Sequence, residues 1–117
     1  MLNFVRSEGR ADVYRVSAPT LDLHNAQAFR SGVAPAARNV RIVILDLSQV
    51  RFIDSAGIAA LLGLVRSVGE AGGTVKLASP TPEVRSILQL VRMHRIVDLY
   101  NDVDEIFREL RARPAAA

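Results

Sequence analysis

The run Arg41-Ile42-Val43-Ile44-Leu45-Asp46-Leu47 constrains this chain more than any other stretch. Its apolar residues are continuous rather than alternating, so a strand built from them is covered on both faces. That calls for a central strand flanked by helices. At 117 residues the chain fits one domain with a real core, and is too short for two ordinary ones.

The flanking segments supply the remaining elements. Residues 3–6 and 11–16 are separated by Ser7-Glu8-Gly9, and the second alternates Val13 and Arg15 against Tyr14 and Val16, which predicts a hairpin. Pro19 breaks the strand. Asp22 or Thr20 can then cap a helix over about residues 23–38, with Ala26, Phe29 and Val33 on one face and an end left open by Pro35. Ile58, Leu61, Leu62, Val65 and Val68 recur at spacings of three and four, which puts one apolar stripe on a helix ending within residues 69–73. A short strand is expected over 75–78. In the next helix Thr81 is the N-cap, Pro82 the first helical residue and Glu83 a favourable charge, with Val84, Ile87, Leu88 and Val91 as the buried face. A last brief strand over 96–100 precedes a terminal helix opened by Asp102, Asp104 and Glu105, with Arg108 and Arg111 toward its negative end. The order predicts an α/β fold, a mixed sheet of about five strands with about four helices packed on it. Residues 1–112 form the domain, and 113–117, rich in alanine, are expected to be a disordered tail.

No apolar stretch approaches the roughly 18 residues of a membrane span, and the N-terminus MLNFVRSEGR lacks the apolar segment of a secretory signal. A cytoplasmic protein without membrane insertion is expected. The absence of cysteine excludes disulfides, thiolate zinc sites and a cysteine nucleophile. The net charge of +3 raises the question of nucleic acid, but fifteen cationic residues are interleaved with twelve acidic ones. Local basic clusters are confined to Arg92, His94, Arg95 and the pair Arg111, Arg113, and no aromatic interleaves with cations as a stacking platform requires. No direct nucleic-acid contact is expected.

Nor do the residues suggest catalysis. His24 and His94 lie in unrelated segments without a ligand at helical spacing, so no metal site is expected. Gly69-Glu70-Ala71-Gly72-Gly73 ends a helix instead of opening one and lacks a following Lys-Ser/Thr, so it reads as a turn rather than a phosphate cradle. There is no Gly-x-Ser-x-Gly elbow, and Asp54 is a poor base for its neighbour Ser55. Neither an enzyme nor a bound cofactor is expected.

What remains is Phe52-Ile53-Asp54-Ser55-Ala56-Gly57, a small polar turn between two core-forming segments. Asp54 is placed to cap the following helix, with Ser55 in its first turn, where backbone N–H groups are unpaired. The residues alone leave two readings open. One is a helix cap worth about 1 kcal/mol and nothing more; the other is an accessible hydroxyl, free of bulky neighbours, that a partner can dock over or a kinase can modify.

The stretch Val43-Ile44-Leu45-Asp46-Leu47-Ser48-Gln49-Val50-Arg51-Phe52-Ile53-Asp54-Ser55-Ala56-Gly57 closely resembles the signature of the STAS family, specifically its single-domain bacterial anti-sigma factor antagonists. Leu21-Asp22-Leu23-His24-Asn25-Ala26, Gly72-Gly73, Ser79-Pro80 and Val84-Arg85-Ser86-Ile87-Leu88 extend the likeness over roughly residues 10–110. The resemblance implies a mixed sheet of about five strands with helices on one side. It also implies a role for Ser55: the unphosphorylated protein binds an anti-sigma factor that is also a serine kinase and frees the sigma factor. Phosphorylation of Ser55 ends the complex, and a PP2C-type phosphatase restores it. The partner-binding surface implied is Asp22, Asp54, Ser55, Ala56, Gly57 and Ile58. Related STAS domains also serve as scaffolds in stress-signalling assemblies and as cytoplasmic parts of lipid or anion transporters, which is the alternative reading. Three departures bear on the partner: Ala56 stands where Ser or Thr is common, Pro19-Thr20 replaces a frequent Gly-Glu, and Arg92 with His94 replaces a glycine and an acid.

Overall fold

The computed structural model describes residues 1–38 and 42–112, so the expected tail at 113–117 and the Arg41 end of the central strand lie outside the described residues. In chain order the elements are β1 (Leu2–Glu8), β2 (Ala11–Val16), β3 (Thr20–Leu21), α1 (Ala26–Arg38), β4 (Ile42–Asp46), β5 (Phe52–Ile53) and α2 (Ser55–Glu70). They continue with β6 (Thr74–Ala78), α3 (Pro82–Leu90), a single 3-10 turn (Met93–Arg95), β7 (Asp98–Tyr100) and α4 (Val103–Ala112). Five strands form the main sheet in the order β1-β2-β4-β6-β7, with β1 antiparallel to β2 and every other pair parallel. The β1–β2 hairpin turns through Gly9, whose φ of +60° is left-handed.

β4 lies in the middle of the sheet, and Val43, Ile44 and Leu45 are completely buried, as a continuous apolar run requires. Val43 and Leu45 join Phe29, Leu61, Val84 and Leu88 in the core beneath α1, α2 and α3. Ile44 points the other way, into a second core with Val13, Ala78, Ile106 and Phe107 of α4. Helices therefore cover both faces rather than one. Strand alternation causes this: residues of β2, β4 and β6 facing away from α1–α3 are apolar enough to need a cover of their own.

Lys76, the only lysine of the chain, is buried on that second face. Its ammonium donates to the Tyr100 hydroxyl at 2.8 Å and to Asp98 at 3.3 Å, and the Tyr100 hydroxyl donates to Glu109 of α4 at 2.5 Å. Burial opposes the Lys76 charge, but the bonds to Tyr100 and Asp98 outweigh it and hold its pKa above 10.5. α4 is thus clamped to the sheet by polar as well as apolar contacts.

Two helices bury faces other than those the apolar spacing suggests. In α2 the buried residues are Gly57, Ala60, Leu61, Leu64 and Val68, while Ile58, Leu62 and Val65 are half-buried. In α3 Val84 and Leu88 are buried, Ile87 is half-buried and Val91 is exposed. α1 runs through Pro35 and begins at Ala26, three residues later than expected, because residues 22–25 form a turn in which the Asp22 carbonyl accepts from Asn25 and Ala26. Thr81 caps α3 as expected, its hydroxyl accepting from the Val84 amide.

Candidate functional site

The site is assembled by two strands of two residues each. β3 and β5 pair in parallel, Thr20 beside Phe52 and Leu21 beside Ile53. Leu21 and Ile53 point into the core, which leaves Phe52 on the surface, and the chain then enters α2 at Asp54.

Asp54 has an extended backbone, φ −95° and ψ −175°, as an N-cap requires. One carboxylate oxygen accepts from the Gly57 amide at 3.0 Å, and the other accepts from the Leu23 amide at 3.1 Å. A single side chain therefore caps α2 and ties its first turn to the Asp22–Asn25 turn. Asp22 is spent in a similar way: one oxygen accepts from the Thr20 hydroxyl at 2.8 Å and the other from the His24 amide at 2.9 Å. The Thr20 hydroxyl, followed by the amides of His24 and Asn25, outweighs partial burial and holds the Asp22 carboxyl below its ordinary 3.8.

Gly57 explains how the two segments come so close. A Cβ at this position would lie 2.2 Å from the Leu21 carbonyl oxygen and 2.8 Å from the Ile53 methyl. Only glycine permits α2 to seat on β3, and that contact decides which face of the helix is buried. Ala56 and Ile58, on either side, are half-buried.

Ser55, the first residue of α2, is exposed. Its hydroxyl makes no hydrogen bond among the described residues. The first N–H groups of a helix have no intrahelical acceptor, so this hydroxyl sits at the positive end of a 16-residue helix. Of the six residues anticipated as a partner-binding surface, Asp22 and Asp54 are brought together by the bond from the Leu23 amide to Asp54, Ser55 is exposed, Ala56 and Ile58 pack partly on the core, and Gly57 is buried and acts through its lack of a side chain.

Two exposed apolar residues next to these in the chain were not anticipated: Leu23 is 74 % exposed and Phe52 is 51 % exposed. Phe52 alternates with the buried Ile53, but two residues are too short to read as a period without the β3–β5 pairing, and Leu23 lies beyond β3 in the 22–25 turn, where no strand period applies. Among the described residues no group of three or more His, Asp or Glu side chains could hold a metal ion, and no helix is long and apolar enough to cross a membrane.

Comparison with known proteins agrees with this architecture. The model of the STAS domain matches residues 5–106. A Thermotoga maritima protein named "Putative anti-sigma factor antagonist" is 30 % identical over 95 residues, covering 80 % of this chain and 84 % of its own. The anti-sigma factor antagonist SpoIIAA, solved unphosphorylated, superposes with a TM-score of 0.78 at 22 % identity, covering 97 % of this chain and 99 % of its own. The phosphorylated form of the Bacillus protein gives 0.68, also at 22 % identity, with 92 % and 98 % covered. The fold is also present within the murine anion transporter Slc26a9, with a TM-score of 0.80 at 19 % identity over 92 % of this chain and 19 % of the transporter. With a family model spanning most of its length and a mixed five-stranded sheet carrying four helices, the chain belongs to the STAS domain family.

Proposed function

We propose that this protein is an anti-sigma factor antagonist whose binding is switched off by phosphorylation of Ser55. The observation that carries the reading is the exposed, unbonded Ser55 hydroxyl at the start of α2, in a turn that follows the exposed Phe52 and is tied through Asp54 to the exposed Leu23. In the unphosphorylated state these two side chains and the small Ala56 offer a surface on which an anti-sigma factor with serine kinase activity docks, releasing its sigma factor. The kinase transfers the γ-phosphoryl group of ATP to the Ser55 oxygen, which loses its proton, and ADP leaves. A PP2C-type phosphatase hydrolyses the ester with water and returns the hydroxyl and free phosphate.

The physical effect lies in the interface, not in the fold. Phosphorylation adds close to two negative charges next to Asp54. An unpaired charge sealed into an interface costs several kcal/mol, and each 1.4 kcal/mol is about tenfold in affinity. Within the molecule the same charge faces the positive end of α2, so folding tolerates it. Because both Asp54 oxygens are already bonded to amides, Asp54 holds the surface in shape and contributes its charge to the repulsion.

Incubation with the cognate kinase and ATP, followed by phosphopeptide mapping, should place phosphate on Ser55. Ser55→Ala should bind the anti-sigma factor as tightly as the wild type and resist release, while Ser55→Asp should bind at least tenfold more weakly. Phosphate mapped to another residue, or equal binding by the two variants, would overturn the reading. The likeness to a domain of an anion transporter supports a second reading, a scaffold or a cytoplasmic subunit of a lipid or anion transporter. Co-purification from the native cell separates the two: a kinase and sigma factor in one case, a transporter ATPase and permease in the other.

A further inference from the structure

The end of α3 exposes a further group of large apolar side chains. Leu90 is 83 % exposed, Ile96 58 % and Val91 44 %, three large aliphatic side chains within seven residues. The chain turns there on Arg92, which has a left-handed backbone, φ 61° and ψ 28°, and donates its amide to the Gln89 carbonyl at 3.0 Å. That conformation is disfavoured for a residue with a Cβ. It sends Met93 into the core and turns Leu90, Val91 and Ile96 outward, with Arg92, His94 and Arg95 exposed among them.

Along the sequence the charge at this corner has one sign, although in space His94 shares a cleft with Asp98 and Glu109, which pair with Lys76. No acidic residue occurs between Glu83 and Asp98, and Asp98 is paired with Lys76. Among the described residues Arg92, His94 and Arg95 enter no ion pair. A side chain as open as Leu90 projects from the molecule instead of lining a groove, and the corner carries no aromatic ring to anchor a protein hot spot. A protein partner would have to supply a fitted cavity for these projecting aliphatic groups. A bilayer accepts them by deforming, and its anionic phosphates match the unpaired cations.

We propose that this corner docks the protein reversibly on an anionic lipid surface. Leu90, Val91 and Ile96 enter the boundary between headgroups and acyl chains, and Arg92 and Arg95 lie against lipid phosphates. Nothing crosses the bilayer. α2 begins at the carboxyl end of the parallel strands, whereas α3 finishes at their amino end, so docking here leaves Ser55 facing away from the membrane. The inference is independent of the reading of Ser55. Three aliphatic side chains and a few cations give weak, salt-sensitive binding that a second signal would have to reinforce.

Co-sedimentation of the full chain with vesicles tests it, comparing phosphatidylcholine alone with an equal mixture of phosphatidylcholine and phosphatidylglycerol. Binding is expected to the mixed vesicles only, and to fall as salt rises. Removing one arginine, Arg92→Gln or Arg95→Gln, should weaken it about fivefold, and Leu90→Ser with Ile96→Ser about tenfold or more. Arg51→Gln, which removes an exposed charge at the opposite end, should bind as the wild type does. Thermal melting of each variant separates loss of binding from loss of fold. Binding that ignores lipid charge, or that survives in all the corner variants, overturns the proposal. So does a preference for soluble poly-glutamate over vesicles that depends on Arg92 and Arg95, since the surface would then belong to an acidic protein.

Discussion

The turn that opens α2 and the turn that closes α3 lie at opposite ends of one sheet, and both expose large apolar side chains. They differ in how their charges are used. At the α2 end all four carboxylate oxygens of Asp22 and Asp54 accept hydrogen bonds from nearby amides or a hydroxyl. Those charges are spent on holding the backbone. At the α3 end Arg92 and Arg95 have no partner of opposite sign among the described residues and stay available to something outside the molecule. Exposure alone therefore does not tell a structural charge from a recognition charge; the count of satisfied bonds does.

Three perturbations would break or sharpen this comparison. The largest effect is expected from Gly57→Ala, which forces a methyl group into the Leu21 carbonyl. It should cost about 3 kcal/mol or more in urea unfolding. If it cost under about 0.5 kcal/mol, as an ordinary surface change does, the tight seating of α2 on β3 would be wrong. Next, Asp54→Ala removes the cap and the tie to Leu23 together, with an expected loss of about 1–2 kcal/mol. Faster amide exchange confined to Leu23 and Gly57 would show that both bonds come from this side chain, whereas a change at Gly57 alone would reduce Asp54 to a cap.

The smallest effect is that of acid. Because the folded Asp22 carboxyl titrates below 3.8, it favours folding above that pH and its contribution fades as pH falls through the folded value. Amide exchange at Leu23 and His24 should quicken over that range. The stretch between Glu83 and Asp98 carries no carboxylate and should show no matching transition, so a common response at both ends would erase the contrast.

Much of the site could be read from the sequence because its causes are local. The N-cap at Asp54, the first-turn position of Ser55 and the Thr81 cap depend on side chains bonding amides three residues away. The hairpin and central strand follow from turn residues and an apolar run. The α2 stripe was harder to read: Ile58, Leu62 and Val65 have the right spacing, yet the helix rotates to put Gly57 against Leu21. For α3, Val91 keeps the helical period but falls beyond the last turn, where Arg92 reverses the chain and Met93 takes the core position instead. The exposure of Phe52 depends on a two-residue strand that pairs across some thirty positions of sequence, and that of Leu23 on a turn held by Asp54 from a similar distance.

By itself the sequence determined the types of the longer elements, the capped entry to α2 and the place of Ser55 in its first turn, since hydrogen bonds within a few residues and apolar periodicity suffice for these. Tertiary structure alone decided that Asp54 reaches Leu23, that α4 covers the opposite face and that Leu90, Val91 and Ile96 stay outside. Each of those outcomes depends on which distant segment occupies a close-packed space first in preference to its competitors, and spacing along one segment carries no record of that competition.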